Sequence, residues 1–299
     1  MKLLFSLFLV GIGLNTLLAQ PFFAPDSTEN ALLWRITLKT TTTEKSVAPS
    51  YLYGTIHLIP KKDLHITDAM TRAIKTCKKM TFEINVKKAS GIFAQLSMLR
   101  KAVMRHDTTL DMLISKEDYR LVERKFTEVG LPMKLIRRVK PLFLSSLLEG
   151  DPRSSDMGSY EMSLLEVAEA NDLKIDGLET IKSQMQVLDS IPYKVQAEGL
   201  VDAIRHPEAS KAEYQQLLDC YKAENLTCLA QQFASENEAE MQPYQGALLD
   251  NRNQQWQPIM EKMMRRQPTF FAVGAGHLVG EQGVIALLRK QGYKVEVVR

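Results

Sequence analysis

Apolar positions recur along this chain with two periods, and the alternation between them predicts the order of its elements. Short apolar runs bounded by Gly, Pro or polar clusters predict strands over residues 31–38, 50–58 and 80–86. Between the second and third, Thr67 caps a predicted helix that runs to about Lys79, with Ala69, Ala73, Ile74 and Cys77 on one face. Spacings of three and four then predict helices over 90–104, 116–129 and 135–148, followed by a polar break at Asp151, Pro152, Arg153, Ser154 and Ser155. A helix over 160–170, a short strand over 173–178 and a helix opened by Thr180 come next. From Pro192 to about Arg266 the pattern is successive helices, broken near Pro207, Asn225 and Pro243. The end returns to a strand over 269–273, a helix over 281–290 and a strand over 293–298. Sheet-forming pieces at both ends with helices between them predict an α/β fold with a mixed sheet core and a large helical insertion. No repeat of solenoid period is present. The expected organisation is one domain over 20–299, with helical insertions at about 88–155 and 192–266.

The first nineteen residues add a leader. Lys2 is followed by an apolar run over 3–10 that only Ser6 interrupts, and Leu17-Leu18-Ala19 places a small residue before Gln20. This is the pattern of a cleaved export signal of bacterial type, so residues 1–19 are expected to leave and the remainder to be periplasmic or secreted, with no membrane span after processing. Three cysteines follow the leader. Cys220 and Cys228 flank the break at Glu224-Asn225, and an oxidising compartment permits a disulfide between them; Cys77 then stays a buried thiol. No C-x-x-C is present, which removes zinc-ribbon and thioredoxin readings.

Charge narrows the partners. Lys+Arg 38 against Asp+Glu 35 leaves +3, and the basic pairs are scattered without interleaved aromatics, so no nucleic-acid partner is expected. A peptide or small-molecule substrate is the expected partner class, and the sequence leaves the oligomeric state open. Signatures such as G-x-S-x-G, H-E-x-x-H and the P-loop are absent. Gly274, Gly276 and Gly280 are wrongly spaced for a dinucleotide fingerprint.

What remains is a matched pair. Gly54-Thr55-Ile56-His57 ends the second predicted strand, and Gly274-Ala275-Gly276-His277 ends the strand that begins at Thr269. Ligands in open α/β sheets collect beyond the carboxyl ends of strands, so the two imidazoles are expected to converge. Glu83 adds a carboxylate near the end of the third strand. A lone histidine in such a place is more often a hydrogen-bonded structural residue; the repetition at two strand ends with a carboxylate between them is what argues for a site. Two His and one Glu suit a divalent ion with open positions for water and substrate, or a metal-free proton-transfer site. His65, His106 and His206 are expected at the surface or at helix ends, and Met260, Met263 and Met264 in a core or groove.

The residues around this pair resemble a known family. Tyr51-Leu52-Tyr53-Gly54-Thr55-Ile56-His57, preceded by Leu33-Trp34-Arg35-Ile36, is similar to the opening of the TraB/GumN family, which includes the Tiki proteases and the pheromone-shutdown proteins. Phe271 through Leu278 is similar to its closing motif, Gly177-Leu178-Glu179-Thr180 with Gln184 to its central "GLET" block, and Arg252-Asn253 with Trp256 to its "RN..W" helix. The resemblance implies a fold akin to erythromycin esterase and the ChaN-like haem-binding proteins. From the Tiki branch it implies a peptidase that depends on a divalent metal (Mn, Co or Zn) held by His57, Glu83 and His277. Arg252 joins the catalytic set as a guanidinium fork for a substrate carboxylate or an oxyanion, or else as an ion pair with Glu83 or Glu179. Gly54, Gly274, Glu179 and Asn253 are implied around it. The chain departs from the family at Asn85 and Glu161, where many members carry Asp. The expected function is an exported metal-dependent hydrolase, most specifically a metallopeptidase. The rivals are a metal-independent hydrolase like erythromycin esterase, with His57 as base and Arg252 and His277 on the substrate, and a non-catalytic haem- or peptide-binding pocket.

Overall fold

A computed structural model describes residues 29–38, 48–149, 156–235, 244 and 246–299. The leader, the threonines at 40–43, the break at 151–155 and Pro243 lie outside the described residues. In chain order the elements are β1 (Leu33–Leu38), β2 (Ser50–Thr55), β3 (Ile59–Pro60), α1 (Asp68–Thr76), β4 (Lys79–Ile84), α2 (Val86–Ala89), α3 (Ile92–Lys101), α4 (Lys116–Glu128), α5 (Met133–Ile136) and α6 (Pro141–Glu149). They continue with β5 (Met157–Gly158), α7 (Tyr160–Ala170), β6 (Lys174–Glu179), α8 (Ile181–Leu188), α9 (Tyr193–Arg205), α10 (Pro207–Lys222), α11 (Leu226–Ser235), α12 (Asn251–Arg266), β7 (Thr269–Gly274), α13 (Val284–Lys290) and β8 (Tyr293–Val297).

Six strands form one mixed sheet in the order β6-β4-β7-β2-β1-β8. The first four run parallel to one another, and β1 pairs antiparallel with both β2 and β8. The central strand β7 is buried at all six positions, as a strand covered on both faces requires. Trp34, Phe82, Phe270 and Phe271 lie fully buried in the main core around this sheet, and α1, α7, α10 and α12 lend it Ile74, Leu164, Leu218 and Trp256. A second, separate core of Leu110, Val122, Phe126, Ile136, Leu144 and Leu200 joins α4, α5, α6 and α9. Among the described residues no helix is long and apolar enough to cross a membrane.

Local chemistry explains where elements start. Thr67 caps α1 by accepting from the Met70 N–H, and Thr180 and Ser183 form a reciprocal capping box at α8. The chain turns between α9 and α10 at Pro207, which occupies a position where a missing N–H costs nothing. Two expectations need correction. The strand expected over 50–58 stops at Thr55, because β2 gives way to the loop that carries His57 before the short β3 begins. The single helix expected over 135–148 is two helices, α5 and α6. Between them Val139 extends to bridge Val103, and the Lys140 ammonium, almost wholly buried, meets Asp189 at 2.5 Å before Pro141 starts α6. Cys220 and Cys228 form a disulfide between α10 and α11 with Cα atoms 5.6 Å apart, and Cys77 is a buried free thiol.

Candidate active site

Register brings the two Gly-x-x-His segments to one pole. Gly54 pairs with Val273 and Thr55 with Gly274 in parallel, so the loops that follow β2 and β7 leave adjacent strands at the same edge. Phe82 pairs with Ala272 and Ile84 with Glu179, which adds the carboxyl ends of β4 and β6 to that edge. Four neighbouring parallel strands thus deliver His57, His277, Glu83 and Glu179 together. Close approach explains both glycines. A Cβ at Gly274 would stand 3.2 Å from Glu83 Oε1, and one at Gly54 would stand 2.6 Å from the Leu278 side chain.

Glu83 is held on three sides. Its Oε1 accepts from the Gly274 N–H at 2.9 Å, and its Oε2 accepts from Arg252 at 2.5 Å and from Gln184 at 3.2 Å. Burial alone would raise its pKa; the nearby positive charges, Arg252 foremost, outweigh burial and hold the carboxyl well below the usual range.

Arg252, buried on α12, is the hub. Its Nη2 donates to Glu83 and to Glu179, each at 2.5 Å, and its Nε donates to Glu179 at 3.1 Å. Its Nη1 donates to the Leu248 carbonyl at 2.9 Å and to His277 Nε2 at 3.0 Å. These contacts use all five guanidinium N–H groups. The ion-pair alternative is therefore the one realised, and no N–H remains for a substrate oxyanion in this arrangement. Trp256 lies against the guanidinium carbon at 4.7 Å from the ring centroid and tilts against His277 at 4.4 Å between centroids.

His277 has a determined tautomer. Asn253 spends its Nδ2 on the Gln282 carbonyl at 2.9 Å, so its Oδ1 faces His277 Nδ1 at 2.7 Å as acceptor. Nδ1 carries the proton, and the Nε2 lone pair accepts from Arg252. Burial and the Arg252 charge push the pKa of His277 down to about 3.

His57 stands in the opposite state. Its Nδ1 lies 2.8 Å from Glu161 Oε1, off the line of a well-directed hydrogen bond. Glu161 also accepts from Thr55 at 2.8 Å and from Ser159 at 2.7 Å. Burial opposes the charged ring, but the Glu161 carboxylate outweighs it, and the pKa of His57 rises to about 9. The field of Glu83 also favours His57 protonation and that of Arg252 opposes it, so the two networks sense each other. On Glu179 burial raises the pKa and Arg252 offsets only part of the rise.

The remaining sequence candidates divide. Asn85 caps α2 by accepting from the Lys88 N–H and donates to the Ile175 carbonyl, a structural role. His65 bonds through its backbone to Tyr160 and lines a separate cavity of about 440 Å³. His206 ends α9 beside Asp202, and His106 occupies a left-handed turn. Met260 and Met264 are core residues. Glu161 and Gln184 belong to the site although sequence reasoning did not count them there. For both, a signal existed: Glu161 stands at the family's acidic position and Gln184 in its central block.

The implied metal fails a test of its donors. Both oxygens of Glu83 and the Nε2 of His277 are engaged by N–H donors, and the Nδ1 of His57 faces the Glu161 carboxylate. Among the described residues no three His, Cys, Asp or Glu side chains are gathered closely enough to hold a metal ion. The arrangement as it stands does not fit a divalent ion.

A family model described as the TraB/PrgY/gumN family matches residues 32–297. The chain belongs to this family. Two curated relatives, both from Danio rerio, are similar to it. Metalloprotease TIKI2 is 23% identical over 323 residues, covering 89% of this chain and 61% of the relative. Metalloprotease TIKI1 is 23% identical over 327 residues, covering 91% and 64%. This TraB-family chain thus spans less than two thirds of the length of either relative. No solved structure matches it.

Proposed function

We propose that this protein is an exported hydrolase that cleaves peptide bonds at the carboxyl-end pole of its parallel strands. One observation carries the reading: at one pole of the parallel strands His57 faces the Glu161 carboxylate at 2.8 Å, which keeps the imidazole protonated, while burial makes the Glu179 carboxyl, at the end of β6 in the same strand set, more basic. Environments that push paired titratable groups apart are how a site divides acid from base. His57, protonated through neutral pH against Glu161, is the acid that supplies the proton to the leaving amine. Glu179, whose carboxyl burial makes more basic, is the base that takes a proton from the attacking water. Glu83, Arg252, His277 and Asn253 form the rigid wall that positions these groups. The relatives named metalloproteases support the peptide bond as substrate, and the leader over 1–19 supports export.

A second reading rests on those same names. It is a metal-dependent peptidase with Mn, Co or Zn among His57, Glu83 and His277, and it requires Arg252 to leave Glu83 and His277. A peptide-library digest separates the two. Cleavage that survives exhaustive chelation and falls at least ~100-fold in Glu161→Gln and His57→Asn supports the first reading. Cleavage that returns only on adding one ion supports the second. No cleavage under either condition refutes both.

A further inference from the structure

Glu83 Oε2, Glu179 Oε1 and His277 Nε2 aim their lone pairs at one guanidinium, and the Leu248 carbonyl joins them. Two carboxylate oxygens, an imidazole nitrogen and a carbonyl oxygen are also a donor set that divalent ions take. The two carboxylate oxygens share Nη2, so they are no more than about 5 Å apart, and a tetrahedral metal with ligand distances of roughly 2.1 Å needs them about 3.4 Å apart, a shift of at most about 1.6 Å. The set is buried, anionic overall and backed by the Trp256 ring, so it requires a cation of some kind.

We propose that Arg252 is the resident cation of this site: its guanidinium fills the place at which Glu83, Glu179 and His277 would otherwise take a divalent ion. The wild-type chain therefore binds no metal there, and removing the guanidinium creates a metal site. The bonding supports this, because Arg252 gives each of its three partners an N–H of its own and so satisfies every lone pair that an ion would use. Charge supports it too, since a divalent ion beside a buried guanidinium meets direct repulsion. This inference deepens the metal-free reading of the site and rests on it, and its test reads metal occupancy with no substrate present.

The test is a calorimetric titration of chelator-treated protein with MnCl₂, CoCl₂ and ZnCl₂, using wild type, Arg252→Ala and Arg252→Lys. The expected result is no saturable site in wild type or Arg252→Lys, and one ion per chain in Arg252→Ala, bound at least ~100-fold tighter. That binding should disappear when His277→Ala or Glu179→Gln is added. In the alanine variant the same ion should raise the unfolding midpoint, and it should leave wild type unmoved. Arg252→Gln, neutral and nearly as long, gives the same readout if the alanine variant does not fold; recovery of either fold only with metal also supports the proposal. Stoichiometric metal in wild type that His277→Ala removes overturns it, as does a folded Arg252→Ala or Arg252→Gln protein that binds none. Failure of the peptide digest alone would sink the hydrolase reading and leave this result standing.

Discussion

Replacing Glu161 with Gln removes the anion that keeps His57 protonated while preserving the side chain's size. The effect has a definite sign and window. The folded pKa of His57 is about 9 against an ordinary 6.5, so the folded chain binds its proton more tightly than the unfolded chain does. That stability is fully present below pH 6.5 and is lost as pH rises through 9. At about 1.4 kcal/mol per pKa unit the contribution is at most about 3 kcal/mol below pH 6.5, about 2 kcal/mol at pH 7.5 and close to zero above about pH 10. In Glu161→Gln burial is left unopposed by this carboxylate, so His57 should titrate below its ordinary value. Urea unfolding of both proteins at pH 6, 7.5, 9 and 10 should give a stability gap that is largest at pH 6 and closes with rising pH. Proton NMR of the imidazole should follow a midpoint near 9 in wild type. A gap that stays constant across this range, or a wild-type His57 that titrates near 6.5, would refute the reasoning.

His277 should behave inversely: its ring stays neutral, with the proton on Nδ1, at pH 5, and nitrogen-15 spectra of the imidazole report this directly. Because its folded pKa of about 3 lies below the unfolded 6.5, stability falls as pH drops from 6.5 towards 3, and His277→Gln should flatten part of that acid slope in urea titrations. Gly177→Ala would place a Cβ 2.5 Å from the Asn85 nitrogen and 2.8 Å from the Ile84 carbonyl carbon, both backbone atoms of the neighbouring strand end. It should cost about 3 kcal/mol by denaturant unfolding, whereas Gly246→Ala, with nothing within 4 Å, should cost under about 1 kcal/mol. Cys220→Ser with Cys228→Ser should lower stability by about 2–3 kcal/mol, and thiol titration of the wild type should find Cys77 only after unfolding, since burial pushes its thiol up to about 12.

The elements that set the sheet were legible because their signals are local. Thr67 before an amphipathic run, the apolar stretch at Thr269 and Thr180 before α8 all keep their sequence roles. Much of what escaped was decided by partners far along the chain. Pro141, which opens α6, is a local signal between Leu135 and Leu148 that the apolar periodicity obscures, and the Val103–Val139 bridge and Asp189 drawing Lys140 inward complete the break. Glu161 is a similar case. Ile59 pairs with Gly158 and Pro60 with Met157, so the short β3–β5 ladder draws the segment after His57 against the segment before Glu161. That two-rung ladder sets up the contact between the carboxylate and the imidazole, and its residues carry almost no strand pattern. Asn85, where many family members carry Asp, spends both ends of its amide on holding α2 and β6.

The paired motif itself is symmetric, and the chemistry is not. Each Gly-x-x-His places an imidazole beyond a parallel strand, and there the likeness ends. The loop after β2 meets a carboxylate, which makes His57 a cation; the loop after β7 meets an amide oxygen and a guanidinium, which make His277 a neutral acceptor. The protonation states of the two histidines are therefore set by Glu161, Arg252 and Asn253 and not by the shared motif. Exchange of those partners, with both motifs left intact, should change which histidine holds a proton.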